Sequence, residues 1–187
     1  MAKSGSVLLK GASGSIGKEV TITRKKSGRI QLGKHCGGGK VPASEKQLQA
    51  RQKFKIGTMY AKAAMKDPVV KAQYQAMAKH DQTAYNLALR DAYKAPEITW
   101  VRTGDYTGGI GSRIVVRALD DFRVAGVRVR IMNAAGVVVE EGEAVLEANG
   151  LDWVYTTVVE NGDVKGSVVR VVARDLPANE TVEEVVL

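Results

Sequence analysis

Arg51, Lys55, Lys62 and Lys66 follow one another at spacings of four, seven and four residues. On a helix that spacing puts all four cationic heads near one face. Four more cations, Arg24, Lys25, Lys26 and Arg29, crowd the junction between two β-branched runs. Clustered positive charge with few interleaved acids is the chemistry of holding a polyanion or an acidic protein surface. These eight residues are therefore the candidate polyanion- or partner-binding set. The competing explanation for each group is an ordinary solvated face.

Other chemistries find less support. His35 and Cys36 stand beside Gly37-Gly38-Gly39 as half of a metal site, but His80 is the one other histidine, and zinc wants about four nitrogen or sulfur ligands. No serine or cysteine has a histidine and a carboxylate in a hydrolase-like arrangement. Lys40 follows Gly39, yet Val41 stands where a phosphate-binding loop needs Ser or Thr, and Lys34 where it needs Gly. Asp120, Asp121 and Asp175 each follow a strand-like run, so they can meet at one end of a domain. Grouped carboxylates there suit calcium, and Asx-turns explain them equally well. No catalytic, cofactor-binding or metal-binding residue is assigned, and the expected protein is not an enzyme.

The elements that must position these groups follow from composition. The chain has 187 residues, 44% apolar and 26% charged, enough for two small domains with a buried core. No apolar run approaches the ~18 residues of a membrane span. The run from Val7 to Leu9 is ended by Lys10 and is too short for a secretory signal, so the expected location is cytoplasmic, virion-associated or reached by non-classical export. A single cysteine excludes an internal disulfide framework and fits a reducing compartment. Charge divides unevenly: residues 1–100 carry net +13 and residues 101–187 carry −5. A basic half joined to an acidic half invites polyanions, or the acidic half of another copy.

Three stretches emerge. In residues 1–43, Glu19 to Arg24 and Arg29 to Leu32 alternate polar with apolar residues around Lys25-Lys26-Ser27-Gly28, which predicts a β-hairpin followed by a glycine-rich link. Residues 44–96 predict three short helices. Ser44 and Gln47 form a capping box, and Ala50, Phe54, Gly57, Ala61 and Ala64 with Met65 make the apolar stripe of the first helix. Asp67-Pro68 caps the second, whose stripe is Val70, Tyr74 and Met77. Tyr85, Ala88 with Leu89, and Ala92 mark the third, ended by Ala95-Pro96. Residues 97–187 show about seven alternating runs between turn signals such as Asn149-Gly150 and Asn161-Gly162, which predicts an antiparallel sandwich. The fold class is α+β, with an N-terminal hairpin and helices preceding an all-β sandwich.

Within the last stretch, Arg113 to Val129 carries an Ala118-x-Asp120 phrase and a Val127-x-Val129 strand. Trp153-Val-Tyr155-Thr156 follows, then Ala173-x-Asp175 and Asn179-x-Thr181. This series resembles a bacterial immunoglobulin-like module over residues 97–187, and the resemblance implies a sandwich that binds, spaces or assembles. Lys71 to Asp81 with Tyr85 more weakly resembles an HMG box, which implies DNA bending by a basic surface with an apolar wedge. The run from Val7 through Gly11, Gly14 and Gly17 resembles the glycine-rich turn of short-chain dehydrogenases, and Asn133-Ala-Ala-Gly136 echoes a later motif. That family needs a helix directly after Gly17, whereas Thr21-Ile-Thr is β-branched, and its Tyr-x-x-x-Lys pair is missing. A bulged strand and loop is the expectation for these glycines.

The expected function is a structural or assembly role. Copies of the chain would associate into an oligomer or filament through the N-terminal strands and the sandwich, with Val182 to Leu187 able to pair at a sheet edge. Nucleic-acid binding by the basic half is the alternative, and a surface adhesion or carbohydrate-binding module is a second.

Overall fold

The computed structural model describes residues 11–25, 27–35, 42–79 and 81–187. Lys26, Cys36, the Gly37–Gly39 link, Lys40, His80 and the Val7–Lys10 run lie outside the described residues. The chain divides into two compact units, Met1–Leu87 and Ala88–Leu187.

The first unit opens with three antiparallel strands in the order β1-β2-β3: β1 (Gly14–Ile16), β2 (Val20–Arg24) and β3 (Ile30–Lys34). β2 and β3 are the predicted hairpin, and β1 is an addition to it. The turn into β2 takes Gly17 and Lys18 to φ 59° and 57°, and closes with Glu19 N–H donating to Ile16 O at 3.0 Å. No helix follows Gly17, so this stretch builds a strand and turn and has no crossover on which a dinucleotide could sit. Register places Ile16 opposite Val20, and Ile22 opposite Leu32. Opposed residues share a sheet face, so these four apolar side chains lie together. Ile22 is buried, yet Ile16 is 60% and Leu32 42% exposed.

Three helices follow: α1 (Glu45–Ala64), α2 (Pro68–Met77) and α3 (Ala84–Asp91). Both predicted N-terminal caps form. Ser44 Oγ accepts from Gln47 N–H while Gln47 Oε1 accepts from Ser44 N–H, and the Asp67 carboxylate accepts from the N–H groups of Val69 and Val70. α1 runs 20 residues, longer than the short helix expected. Its buried face also corrects the expected stripe: Gly57, Ala61 and Ala64 are buried, whereas Phe54 is exposed. Apolar identity alone cannot distinguish a helix that buries its large residues from one that buries its small ones. Tyr74 is fully buried, and its hydroxyl meets that of Tyr60 at 2.9 Å.

The second unit packs two four-stranded antiparallel sheets in a sandwich-like arrangement. One sheet has the order β4-β5-β9-β8, from β4 (Glu97–Arg102), β5 (Arg113–Leu119), β8 (Val145–Leu146) and β9 (Asp152–Thr156). The other has the order β11-β10-β6-β7, from β6 (Val124–Met132), β7 (Val138–Glu143), β10 (Val168–Asp175) and β11 (Glu180–Val186). Alternation does the sorting. Ile114, Val116 and Ala118 of β5 face inward against Val127, Val129 and Ile131 of β6 and Val169, Val171 and Ala173 of β10, and all are buried. The described strands number one more than expected because β8, only two residues long, leaves no alternation to read. The protein is thus α+β with a sheet-rich second unit.

Tyr155 and Gly142 fix the approach of β9 to β7. A Cβ on Gly142 would stand 2.8 Å from the Tyr155 ring, so only glycine lets the two strands close. The Tyr155 hydroxyl donates to Glu140 Oε2 at 3.1 Å, and burial pushes its pKa up to about 12. At one end of the sandwich, Asn161 Nδ2 donates to both Tyr106 Oη and Ser167 Oγ at 3.0 Å, tying the β4–β5 loop to the β9–β10 loop through one buried amide.

Candidate functional site

The first unit carries the candidate cations. Ser44 starts α1 and fixes the phase of everything after it. Leu48, Gln52, Lys55, Met59 and Lys62 then recur at steps of four and three, forming one continuous stripe, and Lys66 follows just past the C-cap Met65. At 100° per residue this stripe lies opposite Gly57, Ala61 and Ala64, which are buried. Arg51 borders it. Arg51, Lys55, Lys62 and Lys66 are all exposed, with no carboxylate partner among the described residues. Leu48 and Met59, on the same stripe, are 54% and 64% exposed. The exposed Leu48 and Met59 were not in the candidate set. Their signal was the same three-four spacing, but read on the side away from the small residues.

The hairpin cations sit around a tight turn. Lys25 N–H donates to Arg29 O and Gly28 N–H to Lys25 O, both at 2.9 Å, which gathers Arg24, Lys25 and Arg29 at one tip. Lys26 falls outside the described residues. The tip is anchored: Ser27 N–H and Oγ both donate to the Asp81 carboxylate, at 3.0 and 2.8 Å. Asp81 reaches it from a left-handed backbone position (φ 70°) between α2 and α3, a conformation that Asp tolerates. His35, just after β3, stands 3.4 Å from Ser15 Oγ and 3.5 Å from Thr21 Oγ1 through Nδ1.

The expected aspartate trio is rearranged. Asp120 and Asp175 do meet, but the third member is Asp91, with one oxygen from each within 4.8 Å of the others. Asp121 turns away to accept from Lys94 Nζ and Arg90 at 2.7 Å each, and Lys94 followed by Arg90 holds its carboxyl below the usual range. Asp91 was not legible as a member because it ends a helix and reaches the cluster only through tertiary packing. Asp120 is an Asx-turn residue, its Oδ2 accepting from Phe122 and Arg123 N–H. Asp175 is 1% exposed and accepts from Asn179 N–H and Nδ2 at 2.6 and 2.7 Å. Burial raises its carboxyl above the usual value, and Asp120 adds to the rise. Asp120 Oδ1 is buried without a hydrogen-bond partner, while calcium takes six to eight oxygens, more than three carboxylates supply by themselves.

The outer face of the β4-β5-β9-β8 sheet holds a second charged group. Arg117 and Asp152, opposite each other across β5 and β9, form a two-toothed pair at 2.7 and 2.9 Å. The Arg117 hydrogen bond keeps the Asp152 carboxyl below its ordinary value. Arg102 and Arg117 both lie over the Trp100 ring, at 4.5 and 4.8 Å from its centre. On the other sheet's outer face, Arg128 and Arg130 meet Glu143 and Glu141 at 2.9 and 2.8 Å, and Arg170 faces Glu184. These ladders align neighbouring strands.

Comparison with known proteins adds little. No family model matches the chain, and no curated protein matches it. Among solved structures, the crystal structure of CopC from Methylosinus trichosporium OB3b is similar with a TM-score of 0.36 and 14% identity, covering 48% of this chain and 87% of that one. A likeness of that size carries no argument about ligand or activity.

Proposed function

We propose that the protein is a non-enzymatic assembly component that associates with further copies of itself. One observation carries this reading: α1 buries its small residues and turns its large apolar ones outward, and the β1–β3 sheet leaves apolar residues exposed. Gly57, Ala61 and Ala64 are inside, while Ile16, Leu32, Leu48, Ile56 and Met59 are exposed. Scattered surface apolar residues are ordinary, but a helix inverted in this way leaves its hydrophobic side to be covered by something else. The charge division says what kind of surface: net +13 in residues 1–100 is complemented by −5 in residues 101–187 of another copy. The sandwich, read as an immunoglobulin-like module, suits spacing and binding better than chemistry. Head-to-tail contacts of this kind give rings where the rotation closes and fibres where it does not. Electron microscopy of the purified full chain at low salt is expected to show polymers or rings, and uniform single particles at high concentration would defeat the reading.

A second reading is favoured by Arg51, Lys55, Lys62 and Lys66, all exposed without carboxylate partners among the described residues, with Lys55 and Lys62 on one stripe of α1, Arg51 beside it and Lys66 just past the helix end. That is the arrangement of a phosphate-tracking face. A mobility-shift assay with the full chain and duplex DNA or RNA tests it. Binding that Lys55→Glu with Lys62→Glu abolishes supports nucleic acid, and no retardation at low salt removes it.

A further inference from the structure

The β2–β3 hairpin carries its cations on a part of the sheet that cannot hold itself. β1 pairs with β2 only as far as Ile22, so Thr23 and Arg24 with Ile30 and Gln31 project as a two-stranded ribbon. A ribbon of two strands is marginal in water. What steadies its end is Asp81, whose two oxygens accept from Ser27 N–H and Ser27 Oγ at 3.0 and 2.8 Å.

The same pin delivers a further cation. Lys79 stands two residues before Asp81, at most ~7 Å of chain away. Their loop is closed by Gln82 N–H donating to Lys79 O at 2.9 Å and by Lys79 N–H donating to Gln82 Oε1 at 3.3 Å. Arg24, Arg29 and Lys79 are exposed, and Lys25 is half-buried. Residues 20–34 contain no Asp or Glu. Four cations from two distant segments of the first unit therefore gather around one serine.

Protein surfaces intersperse both signs of charge. A nucleic-acid duplex instead presents one phosphate charge per ~1.7 Å of its axis, anywhere along its length. The planar fork of arginine matches two phosphate oxygens at once. With the α2–α3 loop seated on the turn at Ser27, the ribbon cannot enter a groove tip-first. Its contacts therefore fall on the backbone and carry no base information.

We propose that Arg24, Lys25, Arg29 and Lys79 form a phosphodiester-binding cluster for duplex nucleic acid, with Asp81 as its positioning residue. The inference rests on the nucleic-acid reading above and adds to it a contact outside α1. Asp81 helps through geometry and against its own charge, which separates this cluster from a merely basic surface.

The test is a mobility-shift titration of the full chain from low to high salt, with duplex DNA and duplex RNA of one sequence as probes. The duplex held more tightly identifies the source of the phosphate. Arg24→Ala with Arg29→Ala is expected to lower the slope of log affinity on log salt by about two, and Lys79→Ala by about one. Lys71→Ala, at an exposed site on α2, is expected to leave the slope nearly unchanged. Asp81→Gly suits φ 70° and makes the chain one charge more positive. Charge alone predicts tighter binding by this variant, whereas a positioning role predicts a loss of affinity. Ser27→Ala changes no charge and is expected to lose affinity too, which carries the test if the glycine variant folds poorly. Tighter binding by Asp81→Gly with parental binding by Ser27→Ala, or equal slopes for Lys71→Ala and Lys79→Ala, overturns the cluster. The nucleic-acid reading then stands if Lys55→Glu with Lys62→Glu still abolishes retardation. Poly-glutamate competing as well as either duplex overturns the choice of phosphodiester in favour of an acidic protein surface. A parent chain that retards neither duplex at low salt overturns both the cluster and the reading beneath it.

Discussion

Ser27 and Asp81, 54 residues apart, are joined by two hydrogen bonds from the serine to one carboxylate. The turn of the β2–β3 hairpin is thereby pinned to the loop between α2 and α3, and its cations gain a fixed position. Asp81→Ala removes the acceptor and places alanine at φ 70°, a backbone conformation it disfavours. The expected cost is about 1 kcal/mol, confined to the first unit. Hydrogen exchange is expected to quicken at Ser27 and Gly28 with no change in β6 or β10; equal protection in variant and parent would contradict the pin.

Gly142 sets a packing limit. Gly142→Ala drives a methyl group against the Tyr155 ring, and the expected destabilisation is about 1–3 kcal/mol. Both tryptophans, Trp100 and Trp153, lie in the second unit, so intrinsic fluorescence during urea unfolding reports this domain selectively. Gly104→Ala, where an added Cβ meets nothing within 4 Å, serves as the matched control and is expected to leave the midpoint nearly unchanged.

Arg117 is not replaceable by lysine. Its planar head both forks onto Asp152 and lies over Trp100, and an ammonium group can do neither in the same geometry. Arg117→Lys is expected to lower the thermal midpoint and shift the Trp100 emission, whereas Arg113→Lys, at a more exposed single contact, is expected to do much less.

Asp175 and Asp152 are expected to respond to pH in opposite senses. Burial raises the Asp175 carboxyl, so its stabilising contribution is full below the unfolded carboxylate value, about 4, and fades as pH rises through the folded one. Asp152 is held low by Arg117, so its contribution is present above the unfolded value and fades as acid protonates the folded carboxylate. The gap in urea midpoint between the parent and Asp175→Asn should therefore narrow as pH rises from about 4 to 7, while the gap to Asp152→Asn should widen as pH rises through the acid range. Parallel curves would show that neither carboxyl is perturbed.

What the sequence made legible were features written locally. Ser44-x-x-Gln47 and Asp67-Pro68 fixed two helix starts because a cap needs only neighbours within one turn. Alternation in β5, β6 and β10 announced the sandwich because one face of each strand is dry. A strand as short as β8 carries no period and was missed, whereas β1 falls in the glycine-bearing stretch expected to form a bulged strand and loop. The aspartate cluster was half legible: Asp120 and Asp175 follow core strands, but Asp91 joins them only through tertiary packing, and Asp121 is drawn off by Arg90 and Lys94. Phe54 was misplaced because the buried face of α1 is written in small residues, which carry little hydrophobic signal.

The central claim is that the basic, outward-facing apolar surface of the first unit is completed by another copy. Sedimentation velocity of the unmodified chain over a hundred-fold range of concentration, at low and then high salt, tests it most directly. The account predicts mass that grows with concentration at low salt and shrinks when salt screens the charges. A single 20.1 kDa species throughout would contradict it.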